Sequence, residues 1–266
     1  MKFICPKCAG MLTEVGTALK CELGHSYDRS REGYYNLLLG AGAGVHGDNK
    51  EMLLARRAFL NTGAYFPLAR RIAELCAEHS FCGSYLLDAG CGEGYYTGII
   101  KETLPSSHVY AFDISKDGAK MTAKKNKSIR VAVASSYNMP FGDASFDTVV
   151  NLFSPLAIEE TSRIIKPGGK FIMALPNKRH LFGLKEKIYE SPYENEPDNT
   201  DLSGFRLIHR EEISYEKEFT SKEEVSALFM MTPYAYRTKK EEREKALSLD
   251  YLKTEIEFII LVYERI

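Results

Sequence analysis

Leu86-Leu87-Asp88-Ala89-Gly90-Cys91-Gly92-Glu93-Gly94-Tyr95 is the stretch that decides the fold. An apolar run ends in an acid, and three glycines then fall at alternate positions. Glycine takes positive φ and, lacking a Cβ, lets the backbone touch a ligand. The pattern predicts a buried strand that stops, turns tightly against a bound cofactor and enters a helix. That is the opening unit of a doubly wound α/β domain.

The glycine spacing narrows the ligand. Dinucleotide sites use G-x-G-x-x-G to seat a pyrophosphate on a helix N-terminus. Here the third glycine comes one residue early, at Gly94, and Tyr95 stands where that pattern wants glycine. The G-x-G-x-G loop resembles that of S-adenosylmethionine (SAM)-dependent methyltransferases, whose cofactor carries no phosphate. A nicotinamide oxidoreductase is disfavoured on the same ground. The next apolar run, Val109-Tyr110-Ala111-Phe112, ends in Asp113, at the distance expected for the acid that bonds ribose hydroxyls. Asp113 or Ser115 also suits the N-cap of the following helix, and the two roles are compatible.

Strands are expected over residues 85–89, 108–113, 129–132, 146–152, 170–175, 213–219 and 255–264, with helices alternating through the first five. This predicts a mostly parallel, seven-stranded, Rossmann-like sheet. Pro167-Gly168-Gly169 reads as the turn feeding the fifth strand, and Ser221-Lys222-Glu223-Glu224 has capping-box form. Asp48 or Asn49 is expected to cap an earlier helix, and Gly40 to Gly47 to be a flexible joint.

Six cysteines divide into two sets. Cys76, Cys82 and Cys91 sit in apolar or glycine-rich context and read as small core residues. Cys5, Cys8, Cys21 and His25 read as C-x2-C and C-x3-H, two knuckles converging on one ion. Three thiolates and an imidazole form a closed tetrahedral set for structural Zn²⁺, leaving no position for a catalytic water. Residues 1–35 are therefore expected to be a zinc-binding module folded by its metal. Residues 36–80 are expected to be a linker and helices over the cofactor pocket, and residues 81–266 the methyltransferase domain.

The net charge of −1 excludes a uniformly basic nucleic-acid binder. Two basic stretches, Lys116 to Arg130 and Lys166 to Lys187, offer either solvated faces or a phosphate-facing surface. No apolar run approaches the roughly 20 residues that span a bilayer. No signal segment is visible at the N-terminus, so the cytoplasm is the expected location and no membrane partner is expected.

Ligands of open α/β sheets lie beyond the carboxyl ends of the strands. That rule assigns Asp88, Gly90, Gly92, Gly94, Tyr95 and Asp113 to the cofactor, with Ser135 and Ser136 flanking the adenine. Asn151-Leu152-Phe153-Ser154-Pro155 is expected to face the methyl group and its acceptor. No single catalytic base stands out. Glu93, Glu159 and His180 are candidates by chain position, though acids at a helix start also suit the helix dipole.

The cysteine quartet, Ala55-Arg56-Arg57-Ala58-Phe59-Leu60 with Tyr65, the glycine loop, Lys166-Pro167-Gly168-Gly169, Arg179-His180-Leu181 and Met231-Thr232-Pro233 together resemble the RlmA family. Its members methylate N1 of a guanine in large-subunit (23S) ribosomal RNA. The resemblance covers nearly the whole chain. It implies that Tyr65, Gly94, Tyr95 and His180 contact SAM, that the zinc module helps hold RNA in a hairpin of domain II, and that a homodimer forms. Asn151 to Pro155 departs from the Ala-Pro-Cys-like segment of other members, and the acid-rich stretch from Glu190 to Asp201 is idiosyncratic; both are expected to lie where the choice of acceptor is set. Two other readings compete: a SAM enzyme acting on a small molecule, and a non-catalytic RNA-binding protein that keeps the fold.

Overall fold

The computed structural model describes residues 2–38, 47–196 and 200–266. The joint expected over Gly40 to Gly47 therefore lies outside the described residues except for Gly47. Three short strands, β1 (Thr13–Val15), β2 (Ala18–Lys20) and β3 (Ser26–Asp28), make a small antiparallel sheet of their own. Strand β4 (Tyr34–Asn36) follows, then helices α1 (Lys50–Leu60) and α2 (Phe66–Glu78). The wound section runs β5 (Tyr85–Ala89), α3 (Tyr95–Thr103), β6 (His108–Asp113), α4 (Lys116–Lys125), β7 (Arg130–Val133), β8 (Phe146–Leu152), α5 (Ile158–Ile164) and β9 (Ile165–Pro176). It closes with α6 (Phe182–Ile188), β10 (Phe205–Phe219), α7 (Lys222–Met231), α8 (Tyr234–Arg237), α9 (Lys240–Ser248) and β11 (Leu252–Arg265).

The large sheet has the order β10-β11-β9-β8-β5-β6-β7-β4. Strands β9, β8, β5, β6, β7 and β4 are parallel, and β11 is antiparallel to both its neighbours. All seven expected strands are present, but the sheet has eight. The extra strand is β4, pairing Tyr34, Tyr35 and Asn36 with Val131, Ala132 and Val133. Three residues are too few to show a period-2 pattern, so only the free edge of β7 reveals their partner.

The N-terminal module is thus stitched to the large sheet. Besides β4, the Ile4 N–H donates to Pro140 O at 2.9 Å. Phe3 is fully buried and stacks on Phe141 with ring centres 5.2 Å apart. A module too small for its own core shares one with the sheet face that carries Tyr110, Phe141 and Phe146.

Other departures have simple causes. β10 begins at Phe205, not near residue 213, because its backbone pairs along the whole of β11 while its outer side chains stay charged and exposed. The Pro167-Gly168-Gly169 turn is a bulge inside β9, marked by a register shift against Phe146 and Thr148. Cys82 is exposed, unlike buried Cys76 and Cys91, because it lies in the turn between α2 and β5. Asn49 caps α1, Ser115 caps α4 and Ser221 caps α7, each side chain accepting a backbone N–H.

Much of the second basic stretch is engaged within the fold, although Lys178 and Lys187 are exposed. Lys166 pairs with Asp147, Lys170 with Glu264, and Arg179 with Glu255. Lys185 is fully buried. None of the helices among the described residues is long and apolar enough to cross a membrane.

Candidate active site

The glycine loop lies where β5 hands over to α3. Gly90, Gly92 and Gly94 all have positive φ. At Gly90 a Cβ would sit 2.4 Å from Ser154 Oγ, so the chain after β8 can close on the loop only because that position is glycine. Ser154 Oγ also donates to Ala89 O at 2.8 Å, tying the ends of β8 and β5 together.

Asp113, at the end of β6, accepts the Gly92 N–H at 2.8 Å on one oxygen and the Ser115 N–H at 2.7 Å on the other. Burial raises its pKa, and those two N–H groups oppose the rise. Each oxygen keeps a second lone pair, the geometry needed to receive ribose hydroxyls as well.

These ends enclose a cavity of about 440 Å³, whose walls include Gly90, Gly92, Glu93, Tyr95, Asp113, Ser135 and Ser136. Gly94 and Asp88 stand behind it. Gly94 starts α3 and backs onto Thr122. Asp88 is buried and accepts from Thr97 Oγ1 at 2.5 Å; its carboxyl is raised to about 7, chiefly by burial.

The cavity fits the amino-acid end of SAM as well as its nucleoside. Among its described lining residues Arg56 is the single cation, and Glu93 is a buried acid. Glu93 Oε1 is sealed from solvent and makes no hydrogen bond; its nearest cation, Lys125 Nζ, is 3.8 Å away. Burial raises the Glu93 pKa, with Lys125 pulling the other way. An α-carboxylate needs a cation and an α-ammonium needs an acid. Glu93 offers the acid; Arg56 offers the cation through the part of its guanidinium not engaged by Asp48, which pairs with its Nη1 in the same wall.

A second cavity of about 850 Å³ adjoins the first and lies beyond the ends of β8 and β9. Arg56, Leu60, Tyr96 and Phe153 belong to both walls. Phe153 has φ 58°, a conformation that strains a bulky side chain, and it sits at the junction of the two cavities.

Tyr65 and His180 line the second cavity, not the first. Tyr65 Oη and His180 Nε2 are 3.0 Å apart, and His180 Nδ1 accepts the Glu257 N–H at 3.2 Å. That bond places the imidazole proton on Nε2. Burial pushes the His180 pKa down to about 3, with Lys185 adding to the fall. A neutral ring whose one lone pair is occupied is poorly suited to be the general base. Glu159 is exposed on α5 and lies in neither wall. Glu160 beside it pairs with Arg163 and accepts the Met139 N–H.

Cys5, Cys8, Cys21 and His25 come together as expected, all four ligand atoms lying within 4.8 Å of one another. Cys5 Sγ and Cys21 Sγ stand 3.4 and 3.3 Å from His25 Nδ1, and Cys8 Sγ 3.7 Å from Cys21 Sγ. A tetrahedron with Zn–S near 2.3 Å has edges of roughly 3.5–3.8 Å, so the donor set fits zinc.

Sequence reading missed Arg56 as a site residue and Tyr96, both in the second cavity's wall; the stretch from Glu190 to Asp201, marked in the sequence as a place where acceptor choice is set, contributes Tyr193 to Glu196 to the same wall. Arg56 gave a signal, as a charged residue on the helix predicted to lie over the pocket. The others converge only through tertiary structure.

The doubly wound sheet, the glycine loop and Asp113 at successive strand ends define the class: a SAM-dependent methyltransferase carrying a zinc module. A family model for a methyltransferase domain matches residues 87–173, and one described as "RlmA, N-terminal" matches residues 3–39. A putative 23S rRNA (guanine-N(1)-)-methyltransferase of Micromonospora griseorubida is 30% identical over 203 residues, 69% of this chain and 68% of the relative. Another of that description from Bacillus subtilis is 30% identical over 256 residues, covering 90% and 88%. The 23S rRNA (guanine(748)-N(1))-methyltransferase of Streptomyces fradiae is 30% identical over 187 residues, covering 69% and 66%. The chain belongs to this RlmA family of 23S rRNA (guanine-N1)-methyltransferases.

Proposed function

We propose that this protein transfers the methyl group of SAM to N1 of a guanine in 23S ribosomal RNA, in a hairpin of domain II. The observation that carries the reading is the pair of adjoining cavities sharing Arg56, Leu60, Tyr96 and Phe153. One is built for a nucleoside with an amino-acid tail. The other is large enough for a nucleobase and walled by aromatic rings.

The donor brings an already activated sulfonium methyl. The protein's task is then to position the acceptor and exclude water. Guanine N1 lies on the Watson–Crick edge and carries a proton. The guanine must therefore leave its stack and give that proton to a general base or to water as the N–CH3 bond forms and the S–CH3 bond breaks. Phe153 and the exposed ring of Tyr137 at the mouth of the first cavity are suited to stacking with bases.

In this reading Asp113, Gly90, Gly92, Tyr95, Ser135 and Ser136 hold the nucleoside, Glu93 and Arg56 the amino-acid end, and Tyr65 and His180 the boundary with the acceptor. Residues 1–35 act as the RNA-contacting zinc module, residues 36–80 as linker and cover, and residues 81–266 as the methyltransferase domain, with β4 fastening the first to the last. A cytoplasmic homodimer completes the proposal. Mass mapping of ribosomal RNA nucleosides from cells with and without the gene tests it. Loss of one N1-methylguanine is the expected result; an unchanged set of N1-methylguanines would overturn it.

A further inference from the structure

Lys185 is the most unusual buried group in the molecule. It lies on α6 with no exposed surface. Its ammonium donates to Tyr193 O at 2.9 Å and Asn195 Oδ1 at 2.7 Å. It also lies over the rings of Tyr193 and Tyr234, 4.3 and 5.5 Å from their centres. An ammonium withdrawn from water is costly unless its protons are taken up. Here a carbonyl, an amide oxygen and two aromatic faces receive it.

The receiving segment belongs to no helix or strand. Among the described residues its contacts include the two from Lys185, Asn195 Nδ2 donating to Asn177 O at 2.8 Å, Asn195 N–H donating to Lys178 O at 2.8 Å, and the Tyr193 ring packed on Tyr189. Tyr193, Glu194, Asn195 and Glu196 thereby form one wall of the second cavity, and Tyr234 forms another part of it. The Glu194 carboxylate in that wall is steadied by Arg179 at 3.5 Å.

The chemistry of the wall matches one base edge. Guanine presents N–H donors at N1 and N2 beside an acceptor at O6. A carboxylate complements the two donors. Tyr96, in the wall shared by both cavities, has a hydroxyl sealed from solvent and without a hydrogen-bond partner, available to the O6 side.

We propose that Lys185 is a positioning residue of the acceptor site: it fixes the Tyr193–Asn195 wall so that Glu194 reads the N1 and N2 donors of the extruded guanine. This rests on the guanine-N1 reading above. Lys185 stands behind the wall and acts only through it, whereas Glu194 touches the base.

The test uses full-length protein, a 23S rRNA transcript, SAM as the methyl donor for turnover, and S-adenosylhomocysteine for the binding measurements. N1-methylguanosine is quantified by mass spectrometry and cofactor affinity by calorimetry, for wild type, Lys185→Met and Glu194→Gln. Methionine keeps the apolar stem and removes the ammonium. Lys185→Met is expected to raise KM for the transcript roughly tenfold while S-adenosylhomocysteine affinity stays within about twofold, the loss being on the scale of one or two hydrogen bonds. Glu194→Gln is expected to lower kcat/KM by a similar factor, and the double variant to fall little further, because both act through one wall. A KM for Lys185→Met equal to that of wild type would overturn the proposal, and so would equal losses of RNA and cofactor affinity. If Lys185→Met fails to fold, an undiminished kcat/KM in Glu194→Gln overturns it alone. Wild-type protein that binds S-adenosylhomocysteine but makes no N1-methylguanosine defeats the guanine reading and this proposal together. Wild-type activity with silent variants defeats this proposal only.

Discussion

Tyr65 Oη and His180 Nε2 meet at 3.0 Å although 115 residues separate them in the chain. The Glu257 N–H occupies the other ring nitrogen, so the imidazole donates and the Tyr65 hydroxyl keeps its own proton to give elsewhere. His180 therefore serves as an orienting group for Tyr65. Because both line the second cavity, His180→Ala and Tyr65→Phe are each expected to weaken RNA binding about fivefold, in line with one lost hydrogen bond, and the double variant to be no worse than either. Calorimetry checks this; fully additive losses would show that the two residues act separately. The pKa of about 3, depressed from an unfolded value near 6.5, means the ring stays neutral in the folded protein from pH 8 down to pH 5. Its stabilising contribution is whole above about pH 6.5 and is lost as pH falls from there toward 3. The ring resonances of His180 should not titrate between pH 5 and 8.

In the proposed reading Arg56 and Glu93 divide the two charges of the amino-acid end of SAM between them. Arg56→Met is expected to weaken SAM binding by roughly 30-fold, the scale of a charge-assisted hydrogen bond, but to leave decarboxylated SAM within about twofold of its wild-type affinity. Glu93→Gln is expected to weaken both ligands and to spare 5′-methylthioadenosine, which lacks the ammonium. Equal losses for all three ligands in either variant would refute the assignment.

Asp88 makes stability depend on pH near neutrality. Burial raises its carboxyl to about 7, against the pull of the Thr97 hydroxyl. The folded protein therefore holds a proton that the unfolded chain releases near pH 4. The contribution is fully present below about pH 4 and is lost as pH rises through 7. Asn at this position keeps an acceptor for Thr97 and never ionises. The melting temperature of Asp88→Asn minus that of wild type should increase from pH 5 to pH 8. A constant difference would show that Asp88 titrates alike in both states.

Chelation should reach beyond the zinc knuckles. Ile4, next to the ligand Cys5, bonds Pro140 O, and Phe3 stacks on Phe141 at the end of the segment that carries Ser135, Ser136 and Tyr137 into the cofactor cavity. Metal removal is expected to increase amide exchange in residues 135–141 as well as in residues 2–37, and to weaken S-adenosylhomocysteine binding several-fold. Exchange confined to the module, with cofactor affinity unchanged, would show that the two sites are independent. That outcome is the one expected if the module were a detached knob.

The first strands, the glycine loop, Asp113 and the zinc ligands were legible because each is a local pattern with a physical reason at fixed spacing. The second cavity was legible only in pieces: the strand-end rule marked Phe153, and the family resemblance marked Tyr65 and His180, but not that they share one wall. Its walls come from Tyr65, Tyr96, Phe153, His180, Tyr193 and Tyr234, which share no spacing and meet only because β8, β9 and α6 bring them together. Lys185 read as part of a basic stretch because sequence cannot show that Tyr193 and Asn195 would fold over it. Strand β4 was hidden by its brevity, and the start of β10 by charges that suit an exposed edge.

Strand β4 also bears on how the chain is made. Tyr34 to Asn36 leave the ribosome early, yet the edge they dock on is Val131 to Val133. The module can therefore gather its ion at once but has to wait for β7 to dock β4, and for Phe141 beyond it to cover Phe3. Metal capture during synthesis would shield that waiting segment from proteases, so scarcity of zinc should show first as degraded nascent protein and only afterwards as undermethylated RNA.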